Sequence, residues 1–302
     1  MVQPADITPG HGRRTSPGRL LLLLGPALLV ITVLFGGGLL LGLLQALGHP
    51  PMAGEQGLSL DIFRRVIGDA DFPRSLGLTL YISMVSTLIA AVFSVILALA
   101  LNRWAATSRT IHFLLQIPLT VPHLVIAIAM LLLLSPSGIF SRIGAAAGLV
   151  SSPAVFPLLV NDNLGVAILA TYVWKEIPFI TFMLLAVLKN IGSELDEAGA
   201  TLKASPWQRF RHITLPIISP SLGAACLIVF AFTFGAFEVP YLLGRTYPLT
   251  LPVWAYKSYS DIDLLTRPEG IAIGLIIAAA VIVAIALSHL LLRLGGKRGF
   301  RE

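Results

Sequence analysis

Long apolar runs, separated by short polar segments, repeat along the whole chain of 302 residues. A helix rises about 1.5 Å per residue, so about 20 apolar residues cross the hydrocarbon core of a bilayer. Backbone groups in lipid have to be satisfied within the protein, and a helix satisfies its own. The pattern therefore predicts six transmembrane helices, at residues 20–47, 75–101, 111–134, 164–188, 215–243 and 270–292.

The composition supports this interpretation. Only 12% of the residues are charged and 56% are hydrophobic, whereas soluble domains are about 25% charged. The sequence thus predicts an all-α integral membrane protein. A net charge of +6 would suggest a nucleic-acid partner for a soluble protein, but in a membrane protein it indicates basic loops on one side. No nucleic-acid partner is expected. Cys226 is the single cysteine, so a disulfide within the chain is impossible.

The distribution of Lys and Arg predicts the orientation. Thirteen of these residues lie in segments on the side of the two termini and seven lie on the opposite side. Because basic residues are enriched in cytoplasmic loops, residues 1–19 and 293–302 are predicted to be cytoplasmic tails and 48–74 a periplasmic segment. Apolar and charged residues mix over 58–69, which predicts either a short amphipathic helix at the membrane interface or an ordinary outer loop.

One polar segment between the fourth and fifth predicted spans carries two helix-start patterns. In SELDEAGATLKASPWQRFRHITLP, which begins at Ser193, a serine precedes acidic residues, and Ser205 precedes a proline and Gln208. Serine caps a helix, acids favour its first turn, and Gln at the third position closes a capping box. With a turn at Lys203, residues 189–214 are predicted to form two short helices, a compact knob between two membrane helices.

The segment resembles the EAA motif of permease subunits of ABC importers of the binding-protein-dependent type. In that family the pattern is Glu-Ala-Ala, three residues, Gly-Ala-Ser, then a hydrophobic stretch that ends in Leu-Pro. Two positions depart from it: Gly199 stands where Ala is usual, and Lys203 stands where Gly is usual. The positions that match are Glu197, Ala198, Ala204, Ser205, Leu215 and Pro216.

The resemblance implies the MetI-like fold of a type I ABC importer permease over residues 75–292. It also implies the partners: an ATP-binding subunit dimer that holds ATP and Mg, a second permease subunit and a periplasmic solute-binding protein, in a bacterial inner membrane. This chain itself is expected to hold no cofactor. The knob would be the coupling helix that docks on an ATP-binding subunit. Its coupling residues would be Glu197, Ala198, Gly199, Leu202, Lys203, Ala204, Ser205, Trp207 and Phe210.

Within the knob, the apolar side chains of Leu202, Trp207 and Phe210 are candidates for the docking anchor. Glu197 and Arg209 are candidates for ion pairs at its rim. The family glycine lies just past a helix end, where a positive φ is cheap for Gly but costs Lys about 1 kcal/mol.

No motif for catalysis is present in the sequence. GGKRG at 295–299 lacks the spacing and the Ser or Thr of a P-loop, and there is no HExxH, G-x-S-x-G or Cys–His cluster. Neither catalytic nor metal-ligating residues are predicted, which argues against an intramembrane enzyme and assigns ATP hydrolysis to the partner subunit.

Charged residues interrupt two of the predicted spans: Lys175 and Glu176 the fourth, and Glu238 the fifth. Such charges are costly in lipid and usually face a bundle interior or a cavity. Two interpretations remain open: these residues line the translocation path, or Lys175 and Glu238 form a structural ion pair. Nearby prolines and glycines predict irregular helices and a bent third span; they are Pro118, Pro122, Pro178, Gly235, Pro240 and Gly244.

The substrate is less constrained than the class of protein. ILATYVWKEIPF and FGAFEVPYLLGRTYP resemble the spermidine/putrescine branch most, which implies a polyamine, but permeases for iron, thiamine or phosphonate are similar as well. Glu238 would suit a cation, whereas Lys175 and Arg245 would suit an anion. An ion-coupled secondary transporter or channel is the alternative of another class; it would need no ATPase and would leave the capped knob unexplained.

Overall fold

A computed structural model describes residues 17–48, 58–104, 109–149, 151–152, 155–191 and 194–296, and these ranges contain helices and no strand. The helices are α1 (Pro17–Ile31), α2 (Gly37–Ala46), α3 (Asp61–Gly68), α4 (Phe72–Trp104), α5 (Arg109–Thr120), α6 (His123–Leu134), α7 (Ile139–Ala146), α8 (Val166–Ile191), α9 (Glu194–Thr201), α10 (Pro206–Arg209), α11 (Leu215–Gly235), α12 (Glu238–Leu243), α13 (Leu251–Tyr259) and α14 (Arg267–Gly296). Wider π-helical turns join α1 to α2 and α10 to α11.

Six helical stretches of the described residues are long and apolar enough to cross a membrane, which is the number that the sequence predicts. Four of them lie within six residues of the predicted bounds at either end; the third and the fifth are displaced. The six stretches are Leu21–Ala46, Phe72–Asn102, His123–Ala146, Val166–Asn190, Pro206–Gly235 and Leu264–Leu290.

The third predicted span, 111–134, is two helices rather than one bent helix. Helix α5 ends at Thr120 and α6 begins at His123, because Pro122 has no N–H to donate and its ring disfavours a helical conformation of Val121. Pro118 remains inside α5. The stretch that meets the length of a span therefore begins at His123.

The fifth predicted span, 215–243, is also interrupted. Helix α11 ends at Gly235, and α12 starts at Glu238 after two non-helical residues. At the other end, α10, the π-helical turn and α11 follow one another without a gap, so this stretch starts at Pro206. The irregular helix geometry expected around Gly235 and Pro240 is thus observed as a break.

Helices α4, α8 and α11 form the centre of the bundle. Small residues of α4, Ala90 and Ala98, are fully buried against Ile180 and Leu184 of α8. Small residues allow two membrane helices to approach closely, and Ser94 Oγ donates a hydrogen bond to the Ile177 carbonyl of α8 at 2.9 Å. This packing holds the end of α8 and the start of α11 together, and the knob lies between them.

The opposite end of the bundle is closed by α3, α12 and α13. Ile62 and Val66 of α3 are buried with Ala272 and Ile273 of α14. The segment 58–69 is therefore helical over Asp61–Gly68 and packs its apolar face on the protein, and the alternative of an ordinary loop is wrong. Most of the predicted tails, 1–19 and 293–302, lies outside the described residues.

Candidate functional site

The knob, residues 194–214, contains two helices that are stopped and restarted by their own backbone chemistry. Ser205 Oγ accepts a hydrogen bond from the Gln208 N–H at 3.3 Å, and the Ser205 N–H donates to Gln208 Oε1 at 2.8 Å. This reciprocal pair is the predicted capping box, with Pro206 at the first helical position. Ser193, the predicted cap of α9, lies outside the described residues.

Lys203 makes the turn between the two helices. Its φ is +60°, a left-handed conformation that favours glycine. The Lys203 N–H donates to the Ala200 carbonyl at 2.9 Å and the Ala204 N–H donates to the Gly199 carbonyl at 3.1 Å. This is the bond pattern that closes a helix through a left-handed residue, so the positive φ inferred from the family glycine is confirmed at Lys203.

Gly199 lies where the two helices of the knob approach most closely. A Cβ on this residue would stand 2.9 Å from Ile213 Cδ1 and 3.2 Å from Arg209 Cδ. The departure from the family alanine thus has a steric reason in this chain, since a larger residue would displace Ile213 and Arg209.

Arg209 braces the knob from within. Its Nη1 donates to Asp196 Oδ2 at 2.6 Å and to the Asp196 carbonyl at 3.3 Å, and only 18% of the Arg209 side chain is exposed. Arg209, a predicted candidate for a rim ion pair, forms its ion pair within the knob, with Asp196 of α9. Glu197 remains exposed.

The two most exposed large apolar side chains of this otherwise polar knob are Leu202 and Trp207; Leu195 is 48% exposed. Leu202 is 83% exposed and Trp207 is 65% exposed, while Phe210 is half-buried and its ring centroid lies 5.4 Å from that of Trp207. Exposed apolar groups on a rigid polar element are typical of an interaction site. Of the three predicted anchors, Leu202 and Trp207 are exposed, and the half-buried Phe210 packs its ring against that of Trp207.

The intramembrane charges do not form the predicted ion pair. Lys175 is buried and its Nζ donates to the Val121 carbonyl, at the break between α5 and α6. Glu238 is exposed at the start of α12, and the ion pairs of the described residues are three others: Arg64–Asp61, Arg74–Asp71 and Arg209–Asp196. The two helix breaks explain this result, since one supplies a carbonyl for Lys175 and the other directs Glu238 outward.

Glu176 lies in a buried polar patch between α4 and α8. Its Oε1 is 3.5 Å from Ser86 Oγ. Glu176 Oε2, the Tyr172 hydroxyl and Thr87 Oγ1 are buried and have no hydrogen-bond partner among the described residues. Buried polar atoms ordinarily have partners, so the unpartnered atoms of this patch are an exception within the described bundle. Lys175 and Glu176 are adjacent, yet Lys175 contacts the break between α5 and α6 and Glu176 contacts α4.

An open cleft lies at the end opposite the knob, and no local sequence pattern predicts it. Helix α12, α13 and the segment between them line it, including Arg245, Thr246 and Lys257. A network holds this segment against the start of α4: the Tyr247 hydroxyl donates to Asp71 Oδ1 at 2.5 Å, and Arg74 Nη1 donates to the same oxygen at 3.2 Å. Tyr247 and Asp71 are 176 residues apart, and no sequence pattern reveals such a pairing.

No three His, Cys, Asp or Glu side chains come together as a metal site would require, within the ranges that the structure describes. The candidate functional features of the described residues are therefore the knob, the buried patch and the cleft. The knob exposes large apolar side chains, and the buried patch and the cleft present polar groups along the bundle.

Relatives with named roles share most of the chain. It is 26% identical to the sulfate transport system permease protein CysT of Escherichia coli over 220 residues, 72% of this chain and 76% of that protein. It is 28% identical to the trehalose/maltose transport system permease protein MalF of Thermococcus litoralis over 213 residues, 66% and 69% of the two chains.

The fold is also found in a solved structure. A bacterial ABC transporter involved in the import of the acidic polysaccharide alginate has a chain with a TM-score of 0.75 at 21% identity, and the match covers 91% of this chain and 94% of that one. The same level of similarity holds for that transporter in complex with an alginate pentasaccharide-bound periplasmic protein.

Residues 90–298, which include the knob, the cleft and, of the buried patch, Tyr172 and Glu176, match one family over more than two thirds of the chain. With six helices of membrane-spanning length and the alginate importer's fold, the chain belongs to the family of binding-protein-dependent transport system inner membrane components, the permease subunits of ABC importers.

Proposed function

We propose that this chain forms one half of the translocation path of an ABC importer and that its knob transmits the motion of a separate ATP-binding subunit. The observation that carries this proposal is the construction of the knob. Two short helices are capped, locked by the Arg209–Asp196 bonds and packed at Gly199, and they present Leu202 and Trp207 outward. A rigid element with apolar projections suits docking that has to transmit force.

The knob is joined directly to the centre of the bundle. It continues through a π-helical turn into α11, whose Ala225 and Val229 are buried against α4 and α8. A displacement of the knob therefore moves α11 as a unit with its neighbours. In the proposed cycle, ATP closes the ATP-binding subunits, the knobs approach each other, and the helices reorient to open the path to the other side.

The proposed orientation places the knob and both termini in the cytoplasm of a bacterial cell and the cleft at the periplasmic face. The excess of Lys and Arg on the side of the termini supports it. The proposed partners are two ATP-binding subunits, a second permease subunit and a periplasmic solute-binding protein. The periplasmic protein that is bound to the alginate transporter supports the last of these. ATP and Mg are proposed to bind to the partner subunits.

The substrate expected from the sequence, a polyamine, finds no support in the relatives compared above. Their names point to sulfate, trehalose or maltose, and alginate. Two of these three kinds of solute are anionic, and the exposed Glu238 alone does not favour a cation against them.

Uptake by the purified complex tests the proposed function. The chain is co-expressed with the permease, ATP-binding and solute-binding proteins encoded with it, the membrane complex is reconstituted in liposomes, and ATP hydrolysis is measured with and without the solute-binding protein. We expect stimulated hydrolysis and uptake that both stop when the ATP-binding subunit is inactivated. Uptake that continues without an active ATP-binding subunit would support the ion-coupled carrier instead.

A further inference from the structure

The cleft at the end opposite the knob is positively charged. Its cavity volume is about 310 Å³, at the lower end of the range of solute-binding clefts. Arg245 and Lys257 contribute two cationic side chains, Tyr241 and Thr246 contribute hydroxyl groups, and Leu249 and Val253 are apolar. None of the residues that line this cleft carries a carboxylate.

Neither cation is neutralised by an ion pair among the described residues. Arg245 Nη1 donates to the neutral side-chain oxygen of Asn163 at 2.7 Å, and Arg245 Nε is buried without a hydrogen-bond partner in the described structure. Asp162 lines a neighbouring cavity with Arg245, but its two carboxylate oxygens accept the N–H groups of Leu164 and Val166, both at 2.9 Å. It serves as a cap at the start of α8.

The wall that carries Arg245 is held in place before any solute arrives. Tyr247 is bonded to Asp71 near the start of α4, and the Leu251 N–H donates to the buried Thr79 Oγ1 at 2.9 Å. The first bond joins the segment between α12 and α13 to the residue before α4, and the second joins the start of α13 to α4. Hydrogen bonds that fix this segment also fix the position of Arg245. A donor that is already in position loses less conformational entropy when a solute binds.

We propose that this cleft binds an anionic group of the transported solute, such as an oxyanion or a carboxylate, as the solute passes from the binding protein into the path. The inference rests on the proposed importer function and specifies its substrate class. A guanidinium and an ammonium that line one cleft, together with hydroxyl groups in the same lining, are the groups that hold sulfate-like or carboxylate oxygens. They repel a polyamine, so the same cleft argues against the substrate that the sequence suggested.

Uptake from a panel of solutes tests the proposal in the reconstituted complex with its solute-binding protein. The probes are radiolabelled sulfate, molybdate, phosphate and a uronate disaccharide, with spermidine and maltose as the cationic and neutral comparisons. The variants are Arg245→Gln, Lys257→Gln and both together. Arg64→Gln is the matched control, because Arg64 is at the same end of the bundle but is highly exposed and paired with Asp61.

We expect wild-type uptake of at least one anion, and a loss of about tenfold or more in the double variant, since a charge-assisted hydrogen bond is worth about that factor. Stimulation of ATP hydrolysis by the solute-binding protein should persist, and Arg64→Gln should be unchanged. Wild-type uptake of spermidine or maltose alone overturns the anion proposal but leaves the importer intact. Full anion uptake by the double variant also overturns it. If the double variant loses the stimulation of ATP hydrolysis to the same extent as it loses uptake, the two cations serve the docking of the solute-binding protein, and the anion proposal is overturned.

Discussion

Arg209 in the knob and Lys175 in α8 are both cations with little exposure, but they are satisfied in different ways. Arg209 bonds to Asp196, a carboxylate 13 residues away in the same loop. Lys175 bonds to a backbone carbonyl 54 residues away, at the break between α5 and α6. The knob is thus a locally assembled unit, whereas the charged part of α8 depends on a break elsewhere in the bundle. The two regions should respond differently to substitution.

The largest effect is expected from the exposed face of the knob, where docking is proposed. Trp207→Asp should weaken the binding of the ATP-binding subunit about thirty-fold, because an apolar anchor at an interface is often worth about 2 kcal/mol or more. The measurement is the amount of ATP-binding subunit that co-purifies in detergent.

Trp207→Phe is the matched control, since it keeps an aromatic ring at this position and should retain most of the partner. Wild-type stoichiometry for Trp207→Asp would remove Trp207 from the docking surface.

A smaller effect is expected inside the knob, and it tests whether the knob is a unit. Gly199→Leu should destabilise the packing of α9 against Ile213 and Arg209 by about 1–3 kcal/mol, as overpacked sites do. Trypsin cleavage after Lys203 in the folded complex measures the loosening. Gly223→Leu is the control, because a Cβ at Gly223 meets nothing within 4 Å; equal cleavage of both variants would mean that the close approach at Gly199 does not stabilise the knob.

Lys175 tests the other region of the comparison. Lys175→Ala removes the donor to the Val121 carbonyl, and a buried acceptor without a partner costs about 1–3 kcal/mol. Lys175→Gln also removes the charge but retains an N–H donor, so it should recover part of the thermal stability of the detergent-solubilised complex. Identical melting temperatures for the two variants would show that the bond to Val121 does not stabilise the bundle.

The smallest effect is a stabilisation. Lys203→Gly places at the turn the residue that adopts a φ of +60° without strain. The knob should become more stable by about 0.5–1 kcal/mol. Part of this gain is offset because glycine loses more conformational entropy on folding than lysine does. Slower cleavage of the knob by chymotrypsin, which does not depend on the lysine, is the expected observation. Faster cleavage would mean that the Lys203 side chain contributes a contact that outweighs the backbone strain.

The knob and the bundle differ in how far the sequence predicts them. The capping box at Ser205 and the turn at Lys203 are made by residues within three or four positions of each other, so local patterns identify them. Six spans follow from hydropathy alone. Prolines indicated where helices would be irregular, but only the tertiary structure decides that Pro122 ends a helix while Pro118 stays inside one.

Long-range partners are what the sequence does not reveal. An ion pair between Lys175 and Glu238 was a reasonable expectation from charge alone, yet the two helix breaks turn these residues to different surroundings. The cleft around Arg245 is likewise assembled from segments that meet only in the folded bundle. The pairing of Arg209 with Asp196 also joins two separate helices of the knob, so the sequence does not identify it.

Leu202 and Leu149 provide a test of whether the knob docks on the ATP-binding subunit. Each side chain is 83% exposed, but only Leu202 belongs to the knob. In a chain with Cys226→Ser, a single cysteine is placed at either position and the purified complex is treated with a short thiol-to-amine cross-linker. We expect a cross-link to the ATP-binding subunit from position 202 and none from position 149. A cross-link from position 149 but not from 202 would contradict the assignment of the knob as the coupling element.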